Sequence, residues 1–155
     1  MEATRRQLIE KLKKYFDIRE LVCPHTYNAF GEKSWQFFDR DLLETLLVLR
    51  ENVFGTSMLI NNYHMKGTLS QRGLRCNICN IPKEKTLKNL IYLSAHPNGA
   101  GFDADVKGLT AAQARAKVKA NAHLLPVPVR CEADVTWLHL DVYDMGQDKY
   151  IEFKG

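Results

Sequence analysis

At 155 residues and 45% hydrophobic content, the chain is long enough to bury a core without disulfide staples and too apolar for a disordered polymer. Its 22 Lys and Arg are interleaved with 18 Asp and Glu for a net charge of +4, so there is no basic block of the kind that marks a nucleic-acid binder. No apolar window approaches the length of a bilayer span, and Met1 to Tyr15 is charged and amphipathic without the apolar centre of a secretory signal. One domain over 1–155 is expected, a monomer with neither membrane span nor signal peptide and with no nucleic-acid partner.

In chain order, Leu8, Ile9, Leu12, Tyr15 and Phe16 recur at helical spacing behind Thr4, which predicts an amphipathic helix over 4–16 with Thr4 as its cap. Pro24 is expected to end the segment that follows. Leu42, Leu43, Leu46, Leu47, Leu49 and Val53 predict a second helix that starts at Asp39 or Asp41 and stops near Gly55. A short buried strand is expected at 57–61, and 62–82 is polar, punctuated by glycine and rich in turn formers. Phe102, Ala104 and Val106 alternate with Asp103, Asp105 and Lys107, the period of a half-buried strand with both acids on its polar face. The alanine-rich run from Thr110 to Leu124 reads as a helix that Pro126 and Pro128 prevent from continuing.

From Val129 the period returns to two. Val129, Cys131, Ala133 and Val135 alternate with Arg130, Glu132 and Asp134; Leu138, Leu140 and Val142 alternate with Trp137, His139 and Asp141. A last strand is expected over 149–153. Strands near 102–107, 129–135 and 137–143 can therefore direct acids and imidazole into one cleft.

Two segments carry the chemistry: Ser94-Ala95-His96-Pro97-Asn98-Gly99-Ala100-Gly101-Phe102-Asp103 and Trp137-Leu138-His139. Alone, a histidine on a strand is usually an ordinary hydrogen-bonded residue. Together, His96, Asp103 and His139 make a complete three-ligand set for Zn²⁺, which takes imidazole nitrogen and carboxylate oxygen in tetrahedral geometry. Three protein ligands leave one position for water, which is the catalytic arrangement. The loop Pro97 to Gly101 can fold back so that His96 and Asp103 converge, while His139 must arrive from a neighbouring strand.

Ser-x-His-x-x-Gly-x-x-x-Asp followed by Trp-x-His-x-Asp resembles the D-alanyl-D-alanine carboxypeptidase family of zinc peptidases. Relatives of that family include phage L-alanyl-D-glutamate endopeptidases and the zinc domain of hedgehog proteins. The likeness extends over roughly residues 20 to 145. It implies an α+β fold, an antiparallel sheet flanked by helices with the zinc on the sheet. It also implies zinc on His96, Asp103 and His139, with Ser94 and Gly99 shaping the approach, and Gly101 stands where the family often has alanine. Arg75 resembles the family arginine that binds a substrate carboxylate or carbonyl, with Arg72 as the alternative; a planar bidentate donor suits that task.

The implied reaction is hydrolysis of peptide bonds in peptidoglycan or muropeptide stem peptides, with zinc lowering the pKa of its water toward about 7. The family places a glutamate three residues before the last histidine, but Thr136 stands there. Glu132 is favoured as general base for its reach, Asp134 is second, and Asp141 suits a partner to a ligand histidine. Trp137 is a candidate wall of the cleft. The missing glutamate keeps a second reading open, a zinc-containing binding module without turnover. Without a signal peptide, a wall-cleaving enzyme is expected to be made in the cytoplasm and, if encoded by a phage or prophage, released to the wall by other means. Cys23, Cys76, Cys79 and Cys131 read as reduced thiols, the lone Cys76-Asn77-Ile78-Cys79 motif included, and His25, His64 and His123 as ordinary residues without ligand partners.

Overall fold

A computed structural model describes residues 2–155. The first helix, α1 (Arg5–Leu12), begins where Thr4 closes a capping box with Gln7, each side chain accepting from the other's backbone N–H. Between it and the long leucine helix lie α2 (Ile18–Leu21), α3 (Pro24–Phe30) and a 3-10 segment, Gly31–Phe37. Pro24 opens a helix here rather than ending a segment. At the first helical position its missing N–H would have been unpaired in any case, and its fixed φ already suits the helix.

The leucine helix α4 (Arg40–Val48) starts at Asp39, whose carboxylate accepts from the Asp41 N–H at 2.7 Å. It widens into a π-helical turn, Leu49–Phe54, and stops at Gly55 in the left-handed region. Strand β1 is only Met58–Leu59. The stretch expected to be irregular contains a 3-10 turn at Tyr63–Met65 and ends in α5 (Asn80–Leu87), a helix whose weak apolar periodicity hid it. Strand β2 (Gly101–Val106), α6 (Ala111–Ala120, capped by Thr110), β3 (Val129–Glu132), β4 (Leu138–Asp141) and β5 (Tyr150–Phe153) complete the chain.

The architecture is α+β, with the strands in the order β1-β2-β4-β3-β5. The sheet is mixed, which corrects the expectation of an antiparallel one: β1, β2, β4 and β3 pair antiparallel, but β5 runs parallel to β3. Asp141 at the end of β4 sits opposite Arg130 at the start of β3, and the connection stays at that end, where the Val129 N–H donates to the Lys149 carbonyl. A strand that begins there and lies on the outer edge of β3 must run alongside it in the same direction.

Period-two alternation assigns the two faces of this sheet. Phe102, Ala104, Val106, Val129, Cys131, Leu138 and Leu140 are buried on one side, in a core shared with Ala114 and Val118 of α6 and with Leu42, Leu46 and Leu49. Burying each large aliphatic side chain contributes about 1.5–3 kcal/mol, which is what commits that side to the interior. The intervening residues Asp103, Arg130, Glu132, His139 and Asp141 are thereby forced onto the opposite face. No helix among the described residues is long and apolar enough to cross a membrane.

Candidate metal centre and cleft

Antiparallel pairing sets Asp103 of β2 directly opposite His139 of β4. His96 is delivered by the loop that precedes β2. The three residues each offer one ligand atom, and these atoms lie within 4.8 Å of one another. All three side chains are buried, with residue exposures of 3% to 6%, at the floor of a cleft of about 380 Å³.

The loop that carries His96 owes its course to Gly99, which takes φ +64° where a Cβ would meet the Phe37 carbonyl oxygen at 2.1 Å. Its carbonyl also accepts from the Asp39 N–H at 2.9 Å, tying the loop to the start of α4. Gly99→Ala is therefore expected to destabilise the fold by at least about 2 kcal/mol, read as a lower urea midpoint. A stability equal to that of the parent chain would show that the loop can take another path.

Each imidazole is oriented through its second nitrogen. His96 Nδ1–H donates to the Gly73 carbonyl at 2.8 Å, which leaves Nε2 facing Asp103 Oδ1 at 3.4 Å. That separation equals the edge of a tetrahedral zinc site with nitrogen and oxygen ligands, about 3.4 Å. His139 Nε2–H donates to Asp141 Oδ2 at 3.0 Å, and its Nδ1 lies 2.8 Å from Asp103 Oδ1. Ligand histidines are commonly held in this way, with a carbonyl or carboxylate on the nitrogen that does not bind the metal. The donor set and its supports thus fit a divalent cation.

Electrostatics follow from that packing. Burial works against a charged His139, but carboxylates at both ring nitrogens outweigh it and raise the imidazole to about 9. Burial also opposes ionisation of Asp103, and the hydrogen bonds from His139 and His96 override it, holding the carboxyl well below its usual range. Asp141 is likewise lowered against its burial, by His139 and by Arg130, whose guanidinium grips both carboxylate oxygens at 2.8 and 3.0 Å.

Arg75 reaches the same floor. Its Nη2 donates to Asp103 Oδ2 at 3.3 Å and its Nη1 to the Tyr92 hydroxyl at 2.8 Å. Arg72 does not line this cleft; it is paired bidentately with Asp105, both bonds at 2.9 Å, and borders the adjoining groove. Ser94 and Trp137 line the cleft, and the buried Trp137 Nε1–H has no hydrogen-bond partner.

The two candidate bases separate. Glu132 lines the cleft, and continuing the register of Arg130 with Asp141 and Cys131 with Leu140 by one residue brings it opposite His139. Asp134 lies past the end of β3 at φ +62°, with an exposed carboxylate 3.6 Å from Lys154.

Sequence reasoning passed over three neighbours. Alternation puts Arg130 on the polar face of its strand, but nothing local announces a partner eleven residues on. Tyr143 accepts from the Asn98 side chain, and its hydroxyl lies 3.1 and 3.2 Å from the carbonyls of Leu93 and Ser94, binding the end of β4 to the His96 loop. The Phe153 ring packs edge-on against His139 at 5.7 Å. The four cysteines are free thiols as expected, but His25 and the Cys76–Cys79 motif are not without ligand partners. Cys23, His25, Cys76 and Cys79 form a second group whose ligand atoms lie within 4.8 Å of one another and which could hold a metal ion. The two halves are some fifty residues apart in the chain, and the parallel bridge of Val22 with Leu74 brings them together. No family model matches the chain, and neither a curated protein nor a solved structure matches it.

Proposed function

We propose that the chain is a zinc-dependent peptidase hydrolysing bonds in peptidoglycan stem peptides, of the D-alanyl-D-alanine carboxypeptidase or L-alanyl-D-glutamate endopeptidase type. The observation that carries this reading is the convergence of His96, Asp103 and His139 at the floor of an open cleft, each imidazole held by its other nitrogen. The peptidoglycan substrate rests on the motif resemblance. His96, Asp103 and His139 would hold the zinc, which would supply Lewis-acid chemistry toward the scissile carbonyl and toward the attacking water.

The chain's own groups do the rest. Glu132, on the face that carries His139, takes the proton of the attacking water and returns it to the leaving amine. Arg75, steadied by Tyr92 and Asp103, presents its guanidinium to a substrate carboxylate or carbonyl. Trp137 and Phe153 supply apolar walls. Arg75→Lys keeps the charge but loses the planar fork, so KM is expected to rise about tenfold or more at unchanged zinc content.

Thr136, at the position of the family glutamate, favours one second reading: a zinc-containing binding module without turnover. Digestion of purified sacculi by the zinc-loaded protein, with mass spectrometry of the new termini, tests the proposal. New amino or carboxyl termini that vanish on chelation are expected. Stoichiometric zinc with intact sacculi and intact soluble muropeptides would instead favour the binding module.

A further inference from the structure

We propose that Cys23, His25, Cys76 and Cys79 hold a second zinc ion, in a closed four-ligand site that fastens the arginine-bearing loop to the amino-terminal helices. Cys76 Sγ lies 3.8 Å from Cys79 Sγ, and His25 Nδ1 lies 3.5 and 3.6 Å from the two sulfurs. A tetrahedral zinc with bonds of about 2.3 Å to sulfur and 2.0–2.1 Å to nitrogen requires edges of about 3.8 Å between sulfurs and about 3.6 Å from sulfur to nitrogen. The sulfur separation is far beyond a disulfide bond of about 2.05 Å, and all four cysteines are free.

The surroundings suit a structural ion. Cys23 and Cys79 are buried, while His25 and Cys76 close the group from the solvent side. The Cys79 N–H donates to the Cys76 carbonyl at 3.2 Å, a tight turn that points both thiols the same way. Cys79 is also the N-cap residue of α5, which fixes its backbone at the start of that helix. Three soft thiolates and one imidazole select zinc over hard cations, and four protein ligands leave no position for substrate.

The placement gives this ion a purpose. The Cys23 N–H donates to the Leu74 carbonyl and the Leu74 N–H to the Leu21 carbonyl, so the segment 73–75 is stitched to 21–23 next to the proposed ion. That segment supplies the carbonyl that orients His96 and the guanidinium beside Asp103. The second ion would thus hold in register the two supports that the cleft draws from this loop.

Metal analysis of the reduced full chain is expected to give two zinc per protein, one of them lost in His139→Ala and the other in the Cys76→Ser, Cys79→Ser double variant. Cobalt loading adds an independent signature. A thiolate-to-cobalt charge-transfer band in the near ultraviolet should persist in His139→Ala and vanish in the double variant. Should the double variant fail to fold, zinc X-ray absorption of the parent chain decides the matter, with sulfur expected at about 2.3 Å. A zinc shell without sulfur, or a single zinc that survives loss of both cysteines, overturns this proposal and leaves the peptidase reading intact. A single zinc that survives His139→Ala and shows sulfur ligands would do the reverse.

Discussion

Glu132→Gln is expected to lower kcat on a muropeptide substrate by about 10²- to 10⁴-fold while zinc content and thermal midpoint stay near those of the parent chain. The amide keeps the size and hydrogen-bonding reach of the side chain but cannot accept a proton at neutral pH. Glu132 is not among the three metal-ligand candidates, so its loss leaves their donor set whole. The control is Asp134→Asn, whose carboxylate faces solvent and Lys154 and whose substitution should leave kcat within about twofold. If instead Asp134→Asn carried the loss and Glu132→Gln did not, the proton-transfer role assigned here would be wrong. Steady-state rates, paired with metal analysis of each variant, separate the outcomes.

The second large effect is expected at Asp141, which touches no proposed substrate. Asp141→Ala should weaken zinc binding by about 10- to 100-fold, measured by competition with a chromophoric chelator. The carboxylate fixes His139 by accepting from Nε2–H, and without it the ring is free to turn Nδ1 away from Asp103. A stability cost comes with it. Arg130 would lose both of its charge-assisted hydrogen bonds in a half-buried setting, a loss of about 1–3 kcal/mol once its partial exposure is allowed for. Asp141→Asn should recover part of the affinity, because the amide oxygen can still accept from the imidazole. Equal zinc affinity in the parent and both variants would show that His139 is positioned by packing alone, through Phe153 and the sheet.

Local signals in the sequence were strong wherever a single element decides its own structure. Thr4 and Thr110 cap the helices they were expected to cap, Asp39 rather than Asp41 caps the leucine helix, and Gly55 takes the left-handed conformation that ends the leucine run. Alternation in β2, β3 and β4 placed Asp103, Glu132 and His139 on the polar sides of their strands, because a period of two admits no other assignment once the apolar set is buried. His96, Asp103 and His139 were singled out as a set by the motif resemblance, and the pairing of β2 with β4 together with the loop at Gly99 is what brings them together.

Other features depend on contacts between distant segments, which no local pattern encodes. Helices α2, α3 and α5 are too short to show a clear apolar stripe, so none of them was expected, and the start of α5 fell in the stretch read as irregular. The parallel seat of β5 follows from which end of β4 lies beside β3, a matter of sheet order. The salt bridge of Arg130 with Asp141 and the separation of Glu132 from Asp134 came from register and from the turn after β3, where alternation stops.

The amino-acid sequence by itself determined the helix caps and the buried and polar faces of the strands. It did so because these depend on nearest neighbours and on short-range periodicity. Only the tertiary structure decided which arginine reaches Asp103, which acid shares a face with His139, and that Cys23 and His25 meet Cys76 and Cys79. Those outcomes rest on the bridge between Val22 and Leu74 and on strand order, where segments far apart in the chain exchange backbone hydrogen bonds that neither could specify alone.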